Sequence, residues 1–453
     1  MDLRSFLEKV KDRLIIIKRE VDPYLEMARL TYELDGRPIL FTNVKGSSYR
    51  VVAGICSRRE YLALGLGVDE NRVLFALAEA LANPLSPEIV AEAPCQEVIE
   101  REVNLDSLPI LTHLPGDGGP YITAGVAIIK DPDYGRNMCF HRLMKLDSHS
   151  FVARIVEGRG TDTALRKAEG DLEVAICIGN SIPVLLAAAM SPPKGVDELA
   201  IANALHPTPL TRCITKDLEV PAECEIVLEG RITRRKAREG PFLDLTGTWD
   251  LVREQPVVEI DCITHRRDAI YQALLPGGSE HKLLMGVPRE PSIYIEVSKV
   301  CDCRDVVLTR GGMNWLHAVV QIEKRHPDDG LKAIEAAFRG HRSLKHVVVV
   351  DEDIDIRDPS EVEWAIATRF QADRDLIVLS DQPGSSLDPS ALHIPGQKAR
   401  TAKVGLDATI PWRRHDGSLR TGEERERFKR VRKREEGLKL TAQRRKRDRR
   451  SYG

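Results

Sequence analysis

Nowhere in these 453 residues do eighteen apolar residues run together, so no segment has the length of a membrane helix. The longest apolar stretch, IPVLLAAAM at 182–190, has the length of a strand or a core helix. The first residues, MDLRSFLEKVKD, alternate charge with apolar side chains at helical spacing and carry no signal-peptide core. The expectation is a cytoplasmic protein that begins with a folded helix. The nine cysteines are scattered, with only Cys301 and Cys303 close together. Without a CxxC pair or His-x-Cys spacing a zinc ribbon is excluded, and an odd count does not suit a disulfide framework. Buried, reduced thiols are the simpler reading. Asparagine and glutamine are few, sixteen together, in a chain that is 30% charged; that balance points to a heat-adapted source. GxxxxGK[ST], GxSxG and HExxH are all missing, and Gly158-Arg159-Gly160 has Thr163 where a dinucleotide fingerprint needs its third glycine. Common kinase and hydrolase chemistries are thereby set aside.

What is present falls into blocks. Residues 1–100 read as a small α/β unit: an amphipathic helix with Leu3, Phe6, Leu7 and Val10 on one face, a β-branched run at 14–17, a helix over 24–34, strands at 38–41 and 50–55, and helices over 57–65 and 72–82. Residues 101–300 carry recurrent strand-like runs, at 123–129, 138–146, 151–156, 173–178, 182–187, 225–232, 256–264 and 268–274. Only 195–205 shows clear helical spacing there. The pattern suggests a β-barrel or a strongly twisted antiparallel sheet. Residues 301–415 alternate again: a strand at 316–322, a helix over 330–339, the apolar run 347–350, a helix capped by Asp358 with Pro359 at its first position, and a strand at 375–379. That is a βαβ arrangement with a parallel sheet. From 416 a basic tail follows. Between Glu423 and Arg450 there are 14 Lys/Arg against 6 Asp/Glu, a net of +8, which leaves −10 for the rest. A tail without interleaved aromatics suits a solvated or oligomer-packing helix better than nucleic acid.

Three segments carry chemistry. In the expected strand 138–146, Arg142 shares a face with Met138, Phe140, Met144 and Leu146, and a guanidinium on an apolar face needs an anion. A structural salt bridge would meet that need as well as a ligand would. EGPFLDLTG at 239–247 sets Glu239 and Asp244 around a Gly-Pro turn. Two carboxylates near one arginine can divide roles, one ionised and one holding a proton. Taken alone, such carboxylates read more simply as turn and capping groups. MSPPKGVDE at 190–198 is a loop after an apolar strand that ends on Glu198, and Asn137 and Glu198 are oxygen donors suited to a hard cation.

Together these segments resemble the UbiD family of decarboxylases, which use prenylated FMN. The resemblance runs from the N-terminal unit to about residue 412. It rests on Asn137 and Arg142, on Met190 and Glu198, on CITKDLEVPAECEIVLEG at 213–230, on EGP-F-x-D with Glu239 and Asp244, and on AKVGLDAT at 402–409. It implies an α+β fold, with a central split β-barrel binding the flavin between N- and C-terminal α/β domains. It implies that Arg142, Glu239 and Asp244 are catalytic, with Asp244 the proton donor. Phe140, His141, Ala187, Ala188, Met190 and Lys403 would contact the cofactor. Asn137 and Glu198 would hold a divalent ion, manganese or magnesium, and the loop at 187–190 a monovalent cation such as potassium. The family's third metal ligand is often a histidine; the matching turn here, 155–160, has none, and Glu157 or water would replace it. The implied reaction is loss of CO2 from an unsaturated acid, because a carbanion left on an sp2 carbon needs an electron sink that side chains do not supply. A flavin prenyltransferase would supply the cofactor, and the chain would form a homo-oligomer. EHKLLMG at 280–286 resembles the archaeal members, which act on trans-anhydromevalonate 5-phosphate in isoprenoid biosynthesis; polyprenyl-hydroxybenzoate of quinone synthesis is the alternative substrate. Lys145, Arg159 and Lys282 lie where they could meet a phosphate, and 276–286 would form the rim of the site. Outside this family, the same strands could carry a flavin for electron transfer, a role that does not need two carboxylates beside an arginine.

Overall fold

The structure, a computed structural model, describes residues 1–394 and 397–430. The opening helix, Leu3–Lys9, starts at Asp2, whose side chain accepts from the Ser5 amide, and it buries Leu3, Phe6 and Leu7. Each such burial contributes about 1.5–3 kcal/mol, which fixes the first turn against the core without help from propensity. A four-stranded sheet follows, ordered Ile15–Ile17, Ile39–Phe41, Arg50–Ala53 and Ile270–Gln272. Its last strand comes from far along the chain and pairs in parallel with Arg50–Ala53. The run at 268–274 therefore leaves the middle block and stitches it to the N-terminal unit.

The middle block is built on a nine-stranded antiparallel sheet. Its path runs Tyr121–Ile122, Leu143–Lys145, Ser150–Ala153, Arg253–His265, Ile226–Glu239, Leu172–Ile178, Val126–Asp131 and Gly135–Phe140, with Val98–Glu100 paired to Arg253–His265 off this path. The two end strands do not pair with each other, so the expected barrel is not closed. Two further expectations fail here for local reasons. The strand 138–146 is broken at 141–142: Gly135–Phe140 pairs with Val126–Asp131, whereas Leu143–Lys145 turns to pair with Ser150–Ala153 and Tyr121–Ile122. Arg142 sits in the break, and Leu146 is exposed. Residues 182–189 form a helix instead of a strand, fully buried, with Pro183 in its first turn. A proline there loses no needed hydrogen bond, and Leu and Ala favour helix where β-branched residues would favour sheet.

The C-terminal sheet is ordered Asp302–Leu308, His317–Glu323, His346–Asp351, Arg400–Asp407 and Leu376–Pro383. Its centre is parallel, as the alternating pattern predicts, but both edge strands are antiparallel. The valine run explains the layers. Val347 and Val349 join the core under the helix Asp329–Gly340, while Val348 and Val350 join that under Pro359–Arg369. The expected Asp358 cap is present and accepts from the Ser360 amide. Of the basic tail, only the short helix Gly422–Glu426 and its flanks are described; residues from 431 onward lie outside the described residues. No described helix is long and apolar enough to cross a membrane.

Candidate active site

One long ribbon delivers three carboxylates. The strands Ile226–Glu239 and Arg253–His265 pair antiparallel out to Glu239 opposite Arg253. Glu239 closes the first strand. Gly240, at φ 95°, turns the chain through a conformation that favours glycine. A small hairpin, Phe242–Leu243 against Trp249–Asp250, then sets Asp244 at its turn and Asp250 on its return. Arg142 meets all three. Its Nε and Nη2 donate to the two oxygens of Glu239 at 2.9 Å each, its Nη1 to Asp244 Oδ2 at 2.6 Å, and its Nη2 also to Asp250 Oδ2 at 2.8 Å. The guanidinium lies over the Phe242 ring at 4.7 Å. Burial opposes its charge, but Glu239, Asp244 and Asp250 outweigh that and raise its pKa.

The supporting contacts fix which atoms can move. Glu239 is fully buried, and its Oε1 also accepts from the Tyr121 hydroxyl at 3.0 Å, which in turn accepts from the Gly240 amide. Asp250 is shared with Arg253 at 2.8 Å and approached by Arg154 at 3.9 Å. Burial works against its charge, yet Arg142 and Arg253 hold its pKa below the ordinary carboxylate value. Asp244 accepts from the Leu245 amide through Oδ1, leaving Oδ2 on Arg142. His281, on the helix Ser279–Gly286, feels the charges of both Asp244 and Arg142. Burial lowers its pKa, and its Nδ1 accepts from the Gly277 amide, so the neutral ring carries its proton on Nε2. The segment expected to rim the site thus brings a histidine to it. Tyr121, Asp250 and His281 were missed in the sequence; the spacing of Asp250, six residues after Asp244 across a Gly-containing turn, is the one signal that could have found it.

A second cluster holds the candidate metal and cofactor residues. Asn137 Nδ2 and the Met138 amide each donate to Glu198 at 2.9 Å. Burial pushes the Glu198 carboxyl up to about 7, so a bound cation would find a group whose charge is otherwise poorly solvated. Glu157, expected where the family has a histidine, is exposed and pairs with Arg154 at 3.5 Å. Gly160 is the residue that abuts this pair, close enough that an added Cβ would lie 2.7 Å from Asn137 Oδ1. Among the described residues no three His, Cys, Asp or Glu side chains form a metal cage. Phe140 ends its strand half-buried. His141 donates through Nδ1 to the Arg154 carbonyl at 3.1 Å and accepts from the Thr161 hydroxyl at 3.0 Å, and burial brings its pKa down to about 4. Ala187 and Ala188 lie in the last turn of the helix 182–189, with Met190 as its cap, not in a loop after a strand. Lys403 is buried on Arg400–Asp407, donates to the Arg342 carbonyl at 2.7 Å and is pushed down to about 8 by burial and by Lys398 and Arg342. Lys145 pairs with the exposed Asp106.

Residues 6–81, 88–279 and 282–408 match, in order, the N-terminal, Rift-related and C-terminal domains of 3-octaprenyl-4-hydroxybenzoate carboxy-lyase, UbiD. The chain belongs to the UbiD family. Among the relatives of this UbiD-family chain, the anhydromevalonate phosphate decarboxylase of Methanothermobacter thermautotrophicus is 44% identical over 417 residues, covering 90% of this chain and 97% of that protein. That of Methanocaldococcus jannaschii is 41% identical, with 90% and 96% covered. In three dimensions the UbiD-class enzyme HmfF from Pelotomaculum thermopropionicum, solved with FMN, superposes with a TM-score of 0.88 at 41% identity, covering 95% of this chain and 97% of that one. The 3,4-dihydroxybenzoic acid decarboxylase of Enterobacter cloacae follows with a TM-score of 0.85 at 27% identity, covering 95% and 96%.

Proposed function

We propose that the protein is a prenylated-FMN-dependent decarboxylase of an α,β-unsaturated acid, trans-anhydromevalonate 5-phosphate. The observation that carries the catalytic part is the convergence of three carboxylates on Arg142. Glu239 holds the Nε–Nη2 edge of the guanidinium with both oxygens and is itself tied to Tyr121, and Asp250 is tied to Arg253. Asp244 makes the contact freest to open, because it meets Arg142 through Oδ2 alone, has no second cation to hold it, and lies on a turn. A substrate carboxylate would take Nη1 in exchange for Asp244, anion for anion, with the plane of the guanidinium already set by Glu239. Asp244, released beside the reacting carbon and no longer held ionised by Arg142, would take up a proton from water and deliver it to that carbon once CO2 has gone, and neutral His281 with its Nε2 proton would line the same space.

The residues present fit the cofactor. Asn137 and Glu198 would hold a hard divalent ion, with a flavin phosphate and water filling the positions that side chains leave open, a coordination that suits magnesium or manganese. Lys403 would reach the cofactor from the C-terminal sheet, and the carbonyl end of the helix 182–189 would suit a monovalent cation. When bound, the prenylated flavin supplies the electron sink that decarboxylation at an sp2 carbon requires. A flavin prenyltransferase would have to provide it. The substrate assignment draws support from the archaeal relatives and their names. The test is anaerobic reconstitution with prenylated FMN followed by CO2 release from phosphorylated, aromatic and cinnamic acids. Preference for the phosphorylated aliphatic acid is expected; preference for a prenylated hydroxybenzoate would replace this substrate with the quinone precursor.

A further inference from the structure

Asn137 and Glu198 come from two different elements, a strand and a helix, so no ladder sets the gap between them. Asn137 lies on Gly135–Phe140, an end strand of the nine-stranded sheet, paired on one side with Val126–Asp131. Glu198 is the first residue of the helix Glu198–Leu205, which follows the loop 190–197. Asn137 Nδ2 and the Met138 amide reach across to Glu198, but those bonds occupy the two carboxylate oxygens that a cation would need. A second tie leaves the ligand atoms free. Arg136, immediately before Asn137, donates through Nη2 to Asp197 Oδ2 at 2.5 Å and through Nε to Oδ1 at 3.3 Å, and Asp197 immediately precedes Glu198. Each candidate ligand is thus one residue from a member of a bidentate ion pair.

The pair is anchored at both ends. Asp197 caps the helix, its Oδ1 accepting from the Leu199 amide at 2.9 Å, so the carboxylate that Arg136 holds also fixes where the helix begins. On the other side Arg136 Nη1 donates to Glu219 Oε2 at 3.0 Å. Glu219 opens the strand Glu219–Pro221, which pairs with Leu210–Arg212 within the segment that contains CITKDLEV. The head of that segment is held by fully buried Glu229, which accepts from the amides of Ile214 and Thr215 at 2.8 and 2.6 Å. The side chains of Arg136 and Asp197 are 18% and 26% exposed, so salt screens this pair less than a surface one. The planar fork of an arginine meets Asp197 and Glu219 at once, which the point charge of a lysine does less well.

We propose that Arg136 is a positioning residue for the divalent ion: braced by Glu219, it ties Asp197 to the strand and thereby sets the gap between Asn137 and Glu198. A guanidinium has no lone pair to offer a cation, so its part is to hold the ligands and not to join them. The inference rests on the reading of Asn137 and Glu198 as the metal ligands.

The test uses the full chain loaded with FMN and titrates Mn2+, following the free ion by electron paramagnetic resonance, with a thermal melt of each protein alongside. Wild type should take up the ion. Arg136→Met should weaken uptake by about 10–100-fold, the range for partners that orient metal ligands. Asp197→Asn keeps a helix cap but loses the charge, and should weaken uptake in the same direction. Arg136→Lys should fall between wild type and Arg136→Met. The double variant Arg136→Met/Asp197→Asn should be no worse than the poorer single one, because both act through one pair. If Arg136→Met fails to fold, Arg136→Lys and Asp197→Asn decide the matter. Variants that melt lower yet bind Mn2+ as wild type does would make the pair structural only and overturn the proposal, as would losses that add in the double variant. A wild type that holds FMN but takes up no Mn2+ would instead remove the ligand reading of Asn137 and Glu198, and this inference with it. Uptake by wild type with unchanged affinity in every variant would sink this inference alone.

Discussion

Replacing Asp250 with asparagine leaves Arg142 two of its three carboxylates and tests how the cluster is balanced. In the native protein Arg142, Arg154 and Arg253 face the carboxylates of Glu239, Asp244 and Asp250, with exposed Glu157 also on Arg154. Asp250 Oδ2 is 2.8 Å from both Arg142 and Arg253, and its side chain is only 11% exposed. Removing one member of such a buried ionic group destabilises by about 3–5 kcal/mol, because the partner charges stay buried and unpaired. For a cooperative unit of about 150–250 residues that corresponds to roughly 6–20 °C in melting temperature. The uncompensated guanidinia should also take up small anions, so chloride or acetate should stabilise the variant more than wild type. The assay is a pair of thermal melts for each protein, at low chloride and at high chloride with ionic strength matched by a weakly binding anion. An Asp250→Asn protein that melts with wild type and shows no anion preference would refute the charge balance described for the site.

Two further outcomes follow from buried and exposed charges elsewhere. Glu280 accepts from the amides of Gly54 and Cys56 and thereby ties the His281 helix to the N-terminal unit; burial pushes its carboxyl up to about 7. Since its folded pKa lies above the unfolded value of about 4.5, its contribution to stability is full below that value and is lost as pH rises through about 7. Stability curves of Glu280→Gln and wild type should therefore diverge across this window, with the variant the flatter; parallel curves would contradict the assignment. Lys145→Met should cost at most about 1 kcal/mol and leave substrate KM unchanged, because Lys145 is engaged by Asp106, which is exposed. A large rise in KM would return Lys145 to the phosphate site.

Much of the architecture was legible because it is written in periodicity. The helix at 3–9, the Asp358 cap and the alternating block after 300 are local patterns that packing then reinforces. Arg142, Glu239 and Asp244 were legible as a set of motifs, and the structure brings them together. The losses have specific causes. IPVLLAAAM reads as a strand only if Pro183 is ignored, and a break inside 138–146 cannot be seen without knowing that two different strands compete for its two halves. Closure of the sheet depends on end strands of two and six residues, whose pairing no local pattern specifies. Asp250, Tyr121 and His281 are ordinary residues in sequence, and their meaning comes only from what the ribbon and the 279–286 helix bring to Arg142.

The most direct test of the central claim is rapid-mixing detection of CO2 in Asp244→Asn, beside wild type and Arg142→Ala, each reconstituted with prenylated FMN. Asparagine keeps the shape and the contact to Arg142 but has no proton to give. The account predicts that Asp244→Asn releases CO2 once per site and then stalls, with steady-state turnover lower by about 10²–10⁴-fold. Arg142→Ala should lose even that first release, because the carboxylate is no longer oriented. Near-normal turnover by Asp244→Asn would contradict the account and move the proton to another group.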